Sequence, residues 1–256
     1  MSNVTKTSNK VVVIFNAPPS SGKDLAADFM LSYFNTGLKA SFKDALYEDT
    51  AKYFNVDIKY LTEYHSDRGL KEVPSSMFPK NEKHSLKQYM LGLLYVVGAL
   101  FNIRSLMSLG YYSSREALIH VSENIVKPKQ GNDFYGRKLV ETIEASSERY
   151  VFVADGGFTS EIVPLLEAGY NVYIVQLERN GATFENDSRK LLTEYDFKGE
   201  DGSVLYDNLK FIKMYNNGSL DDLYKTITDF SFDLVLNQTL DHYGGYTENV
   251  YEVIYT

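Results

Sequence analysis

A continuous apolar run, Val11 to Phe15, interrupts the polar start of the chain. A run of this kind, without polar alternation, belongs to a central parallel strand covered on both faces. Behind it Leu25, Ala26, Phe29, Met30, Tyr33 and Phe34 recur at helical spacing, with Gly37 as the stop. Lys39–Phe42 suits a short second strand, and Asp44 to Phe54 a helix with Ala45, Leu46 and Ala51 turned inward. From Tyr60 to about Pro79, charged residues and two prolines leave little periodicity, so this stretch reads as irregular. Helices are expected from Ser85 to about Leu109, after the capping-box signature Ser113-x-x-Glu116, and from Tyr135 to Ala145, with a polar turn over Lys127–Asp133. Tyr150–Ala154 and Asn171–Leu177 are further buried strands, joined by a helix from Glu161 to Ala168 that Gly169 ends. Ser219-x-x-Asp222 caps a late helix carrying Leu223 and Ile227, and the tail Phe232–Tyr255 has two β-rich pieces around Gly244-Gly245 that suit an added hairpin. Strands alternating with helices imply an α/β three-layer domain with a parallel sheet.

Composition narrows the partners. At 256 residues, 44 % hydrophobic and 23 % charged, the chain can bury a sizeable core. A net charge of −8 argues against general adhesion to nucleic acid or to anionic membranes, while leaving room for a local basic pocket. There is no cysteine, hence no disulfide, thiolate nucleophile or cysteine-ligated metal, which suits the cytoplasm. The start, Met1 to Lys10, lacks the apolar region of a secretory signal. The greasiest stretch, Tyr89 to Ile103, is 15 residues long and contains Asn102. It falls short of the roughly 20 needed to span a bilayer and reads as a buried helix. The twenty-one tyrosines read as core and rim, and the dispersed His65, His84, His120 and His242 as structural or surface residues.

The chemistry concentrates where the first strand meets the first helix. Ala17-Pro18-Pro19-Ser20-Ser21-Gly22-Lys23-Asp24 is a tight loop in the strand–loop–helix context of a phosphate-binding loop. Backbone N–H groups and a helix N-terminus converge there on an anion, and Lys23 adds a mobile positive charge for the β- and γ-phosphates of ATP. Ser20 and Ser21 offer hydroxyl contacts. Two positions depart from the Walker pattern: Ala17 stands for the first glycine, and Asp24 for the usual Ser or Thr. A carboxylate near a polyphosphate repels it unless a cation intervenes, so Asp24 is a candidate to hold Mg²⁺ directly or through water. Asp155, ending the second apolar strand before Gly156-Gly157, is the other metal candidate and also a substrate-site candidate.

For a phosphate acceptor, Arg68 and Lys71 fall in the irregular stretch Asp67–Pro74, and Arg115 in the first turn of a helix. An arginine there opposes the helix dipole, which hints at an anionic partner, and guanidinium grips phosphate in a bidentate way. Arg179 and Arg189 bracket a charged segment after the third strand, about 179–205, that can close over ATP as a lid.

Taken in order, seven segments resemble the phage-type deoxynucleoside monophosphate kinases of the P-loop nucleoside monophosphate kinase superfamily, from about Val11 to Leu223. They are Asn16-Ala-Pro-Pro-Ser-Ser-Gly-Lys-Asp24, Phe42-Lys-Asp-Ala-Leu46, Arg68-Gly-Leu-Lys-Glu-Val-Pro74, Ser114-Arg-Glu-Ala-Leu118, Val153-Ala-Asp-Gly-Gly-Phe158, Asp187-Ser-Arg189 and Asn216-Asn-Gly-Ser-Leu-Asp-Asp-Leu223. The resemblance implies a single P-loop kinase domain over 1–256, with a helical acceptor-side insertion at about 60–112 and a C-terminal extension at about 230–256. It implies transfer of the ATP γ-phosphoryl group to a deoxynucleoside monophosphate with Mg²⁺, in the cytoplasm, that of the host if the gene is a phage's. Lys23 would then act on ATP, Asp44, Arg68 and Arg115 would line the monophosphate site, and Arg179 and Arg189 would come from the lid. Gly156-Gly157 departs from it, since related chains often carry an arginine before Phe158. The insertion leaves base specificity open and leaves room for a homodimer. Two other readings keep the loop: a P-loop kinase for another metabolite, such as dephospho-coenzyme A, or a non-catalytic nucleotide-binding regulatory protein.

Overall fold

The computed structural model describes residues 9–81, 86–185, 187–242 and 253–255. The chain enters through β1 (Val11–Asn16), buried at every position, and α1 (Lys23–Phe34) follows the loop. The helix ends at Asn35, in the left-handed conformation at φ 52°, two residues before the expected Gly37. Asparagine is one of the few residues that tolerates this conformation. β2 (Leu38–Ala40) comes next.

The following residues, Lys43–Phe134, form a compact unit of their own. It contains α2 (Lys43–Phe54), α3 (Ile58–Ser66), β3 (Pro74–Pro79), α4 (Leu86–Leu100), α5 (Arg104–Ser108), β4 (Tyr111–Ser113), α6 (Ser114–His120) and α7 (Lys127–Gln130). A π-helical turn, Val121–Val126, runs α6 on into α7. β3 and β4 pair antiparallel, Pro74 opposite Ser113 and Pro79 opposite Tyr111, and the core gathers Phe54, Leu61, Phe78, Ala117 and Val121. Three expectations are corrected here. The stretch from Tyr60 to Pro79 is ordered into α3 and β3, because Asp57 caps α3 by accepting from Lys59 N and Leu61 anchors it in the core. Lys127–Asp133 opens with a helical turn rather than a polar loop. The long apolar helix stops at Leu100: Asn102 is left-handed at φ 54°, and Ile103 N bonds Gly98 O while Asn102 N bonds Ala99 O, the pair of bonds that closes a Schellman cap.

The other unit comprises the described residues up to Phe42 and those from Tyr135 onward. It continues with α8 (Phe134–Ala145), β5 (Tyr150–Val153), α9 (Thr159–Glu167), β6 (Asn171–Glu178), a 3₁₀ turn at Glu194–Phe197, β7 (Leu209–Tyr215), α10 (Leu220–His242) and β8 (Val253–Tyr255). Six parallel strands lie in the order β2-β5-β1-β6-β7-β8. Val11, Val13 and Phe15 pack on one face with α1 and α10 through Met30, Leu223 and Ile227. Val12 and Ile14 pack on the other with α8 and α9 through Ile143, Ile162 and Leu165. This is the expected three-layer α/β fold with a parallel sheet.

β7 is absent from the sequence reading, which Lys210 and Lys213 obscure. Ile212 and Met214 supply its buried face, and Lys213 reaches Glu178 of the neighbouring β6 at 3.2 Å. The expected C-terminal hairpin is corrected as well. Residues 232–242 continue α10, and Val253–Tyr255 is a parallel strand beside β7; Gly244 and Gly245 lie outside the described residues. No helix among the described residues is long and apolar enough to cross a membrane.

Candidate functional site

β1 lies between β5 and β6, so the loop after Asn16 opens at the carboxyl end of a central strand, where crevices form in open parallel sheets. Within it Ser20 has φ 65° and Gly22 φ 96°, a double left-handed bend that turns the chain into α1. A Cβ at residue 22 would also come within 2.5 Å of Asn216 Nδ2, so glycine is required there for space as well. Ala17 is not among the left-handed residues and is buried in the core, which explains how alanine replaces the first glycine.

The loop is braced from inside. Ser21, fully buried, donates its hydroxyl to Pro18 O at 2.8 Å, so that hydroxyl shapes the loop rather than facing a ligand. Asn216, just past β7, donates Nδ2 to Ser21 O at 2.8 Å. Lys23 Nζ folds back to within 3.4 Å of Pro18 O, and Arg179 Nη1 reaches Ser20 O at 3.4 Å. Gly22 caps α1 without any side-chain acceptor, and Asp24 is exposed in the first turn. First-turn amides have no acceptor within their own helix, an arrangement suited to an anion. Pro18 and Pro19 lack N–H groups, yet both precede the bend and remove none of the donors from Ser20 onward.

Beside the loop, Asn16 forms a buried node. Its Nδ2 donates to Lys190 O (2.9 Å) and Gly156 O (3.3 Å), and its Oδ1 accepts from Leu192 N at 2.8 Å. One side chain thus joins the strand before the loop, the turn after β5 and the lid-like segment. Asp155 accepts from Ser41 Oγ at 2.6 Å and Phe42 N at 3.2 Å, which fixes its carboxylate at the end of β5. Arg189 lies against Gly157, where a Cβ would fall 2.6 Å from its Cγ, so an arginine-free turn is a steric requirement here. Burial works against the Arg189 charge, but the Asp187 carboxylate, gripped through Nε (3.0 Å) and Nη2 (2.7 Å), with Asp155 and Glu161, outweighs it and raises the pKa. A cleft of about 360 Å³ combines Pro18, Phe184, Leu191 and Tyr215 with the charged Glu178 and Arg179 and the polar Asn180 and Asn217. A second cleft of about 450 Å³ lies against α10, around Gly218, Asp222 and Thr226, and has no cation in its lining.

The Lys43–Phe134 unit carries a separate basic cluster. Ser113 and Glu116 cap α6 reciprocally as expected, and Arg115 follows in its first turn with its N–H on Lys71 O at 3.2 Å. Ser114 Oγ donates to Lys71 O, so the His65 Nδ1 contact at 3.1 Å is an N–H donated to that hydroxyl. Burial first, then the charges of Lys43, Lys71 and Arg115, push His65 down to about 4, with Glu72 opposing. Arg115 Nη1 meets Glu72 at 3.1 Å on a partly exposed surface. Of the five substrate-site residues expected from sequence (Asp44, Arg68, Lys71, Arg115 and Asp155), the structure brings Lys71 and Arg115 together. Arg68 is exposed in the turn after α3, and Asp44 in the first turn of α2. Lys43 and His65 were not anticipated. The signal for His65 was its spacing from Ile58 and Leu61 on one helical stripe.

No family model matches the chain, and no curated protein matches it. Among solved structures it is similar to one described as "Structure of pnob8 ParA", at 12 % identity and a TM-score of 0.39, covering 95 % of this chain and 74 % of that one. A likeness at that level says nothing about activity.

Among the described residues no three His, Cys, Asp or Glu side chains gather as a metal site. Mg²⁺ does not require such a group: it is held through one or two carboxylates, waters and the phosphates of its substrate. Exposed Asp24 at the cradle fits that role. Asp155 fits less freely, since both its oxygens already accept hydrogen bonds.

Proposed function

We propose that the chain is an ATP-dependent nucleoside monophosphate kinase acting on deoxynucleoside monophosphates with Mg²⁺. The observation that carries the nucleotide half is the braced loop 17–24, with its uncapped helix end, Lys23 and the Arg179 contact. The triphosphate takes the amides from Ser20 onward and the Lys23 ammonium, and the base enters the cleft of Pro18, Phe184 and Tyr215. Asp24 would hold Mg²⁺, which would supply charge neutralisation to the phosphates when bound. Phosphoryl transfer needs positioning and charge neutralisation more than covalent chemistry, and Arg179 and Arg189 supply cations from the lid-like segment. Support for a monophosphate acceptor is the cluster of Lys43, Lys71 and Arg115 about His65, a cationic group of the kind that binds a dianion.

The test is a coupled ADP-release assay with ATP, Mg²⁺ and each of the four deoxynucleoside monophosphates in turn. At least one should raise ADP release far above ATP hydrolysis alone, and Lys23→Ala should lower that turnover by about 10²-fold or more. Turnover only with dephospho-coenzyme A or another metabolite would reassign the acceptor. ATP binding that Lys23→Ala abolishes, with no transfer to any acceptor, would leave a nucleotide-binding regulator. Undiminished turnover in Lys23→Ala would refute the role of the loop.

A further inference from the structure

α4, expected from the sequence to be buried, is instead exposed along one face. Its inner side is fixed within its own unit: Gln88 Nε2 donates to Gly110 O, the Tyr95 ring packs on Tyr111 at 4.7 Å, and Gly98 is buried against Met107. That rotation turns Leu86, Tyr89, Met90, Leu93, Val96 and Leu100 outward, with Leu86 78 % exposed, Leu93 69 % and Leu100 75 %. Their spacing is a seven-residue repeat, 86-89/90-93-96-100, the seam of two packed helices. An amphipathic surface helix turns its polar side to water, and this one has little to turn: between Leu86 and Ile103 the only charged residue is Lys87.

We infer that α4 is a self-association surface that pairs antiparallel with α4 of a second copy of this chain, about a two-fold axis near Leu93. Three features select this occupant. The stripe is symmetric about Leu93, with Leu86 and Leu100 equidistant from it, so one surface complements itself as a two-fold interface requires. Together with Phe101 beyond the last turn, the outward side chains offer on the order of 800 Å² of apolar surface, about what one partner contributes to a standard stable interface. Charge fixes the direction. A parallel pair would set Lys87 against Lys87, whereas the antiparallel pair separates them by 12 residues of helix, roughly 18 Å and beyond the Debye length of about 8 Å. The net charge of −8 opposes self-association at long range, and the stripe is the part of this acidic chain that carries none of that negative charge.

The inference is independent of the nucleotide reading. Its first test is the mass of the intact chain by light scattering at micromolar concentration, with wild type at twice 29.1 kDa and Leu93→Glu at 29.1 kDa with an unchanged circular dichroism spectrum. The chain lacks cysteine, so a second test keeps the native face. Leu93→Cys should form a disulfide-linked dimer on mild oxidation, Leu86→Cys alone should not, and mixed Leu86→Cys and Leu100→Cys chains should. A monomeric wild type, including one that binds lipid vesicles instead, overturns the inference. So does a dimer indifferent to Leu93→Glu. Cross-linking of Leu86→Cys to itself overturns the antiparallel arrangement.

Discussion

His65 offers a direct readout of the basic cluster. The fall from 6.5 to about 4 corresponds to roughly 3 kcal/mol of preference for the neutral ring. The ring is only partly buried, so solvent screening reduces the usable amount to about 1–2 kcal/mol. The sign follows from linkage. Between pH 6.5 and 4 the unfolded chain binds this proton and the folded chain does not, so stability is complete above pH 6.5 and is lost as pH falls. His65→Gln, which keeps a donor for Ser114 Oγ, should abolish that part of the acid destabilisation in urea titrations at pH 7 and pH 4.5.

Ligand binding should reverse the shift. A phosphate dianion held among Lys43, Lys71 and Arg115 would favour the imidazolium; for an assumed separation of roughly 7 Å and an effective dielectric of about 40 the contribution would be roughly 2 kcal/mol. Following the ring Cε1–H by NMR through a pH titration, with and without saturating deoxynucleoside monophosphate, should show the pKa climbing by more than one. The other histidines act as internal controls. A value near 6.5 in the free protein would refute the electrostatic argument. A depressed value that the monophosphate leaves unmoved would refute the location of the acceptor's phosphate.

Arg115→Ala should raise KM for the monophosphate at least about tenfold, with KM for ATP unchanged, as removal of one charge-assisted contact implies. Asn216→Ala strips the brace from Ser21 O and should cost about 1–3 kcal/mol in denaturant unfolding and weaken ATP binding in calorimetry. Asp187→Ala leaves Arg189 without its bidentate partner on a side chain only 14 % exposed, and should lower stability by about 3 kcal/mol. A loss below about 0.5 kcal/mol would mean that the pair is solvated.

The parts of the fold legible in the sequence are those where burial alone determines the pattern. Val11–Phe15 and Val151–Ala154 are covered on both faces, so nothing polar interrupts them, and in Asn171–Leu177 the polar residues fall only at the half-buried Asn171 and Gln176. Ser113 with Glu116 was legible because a capping box is a local event. β7 was not, because Lys213 pairs with Glu178 on a strand some thirty-five residues earlier, a pairing that spacing along the chain cannot reveal. α3 was hidden by its charged surface, since Leu61 is its one fully buried residue. The candidate site divides in the same way: the loop 17–24 is contiguous in sequence and readable, whereas the His65 cluster draws Lys43, Lys71 and Arg115 from three separate segments.

The loop also shows why its departure from the glycine pattern is tolerated. A phosphate cradle needs left-handed turns to aim successive amides inward, and it needs them held before the ligand arrives. Here the turns sit at Ser20 and Gly22, so residue 17 is free to be a buried alanine that packs the core. Ser20 stores strain in that conformation, and something must offset it. Two buried amides are placed to do so: Asn216 from the end of β7 holds Ser21 O, and Asn16 at the end of β1 ties Gly156, Lys190 and Leu192 to the strand that launches the loop. Each spans well over a hundred residues of sequence, so the loop's shape is a property of the assembled sheet and not of the octapeptide. The motif therefore marks the loop, and the asparagines at the two strand ends tie it and its strand to the rest of the sheet.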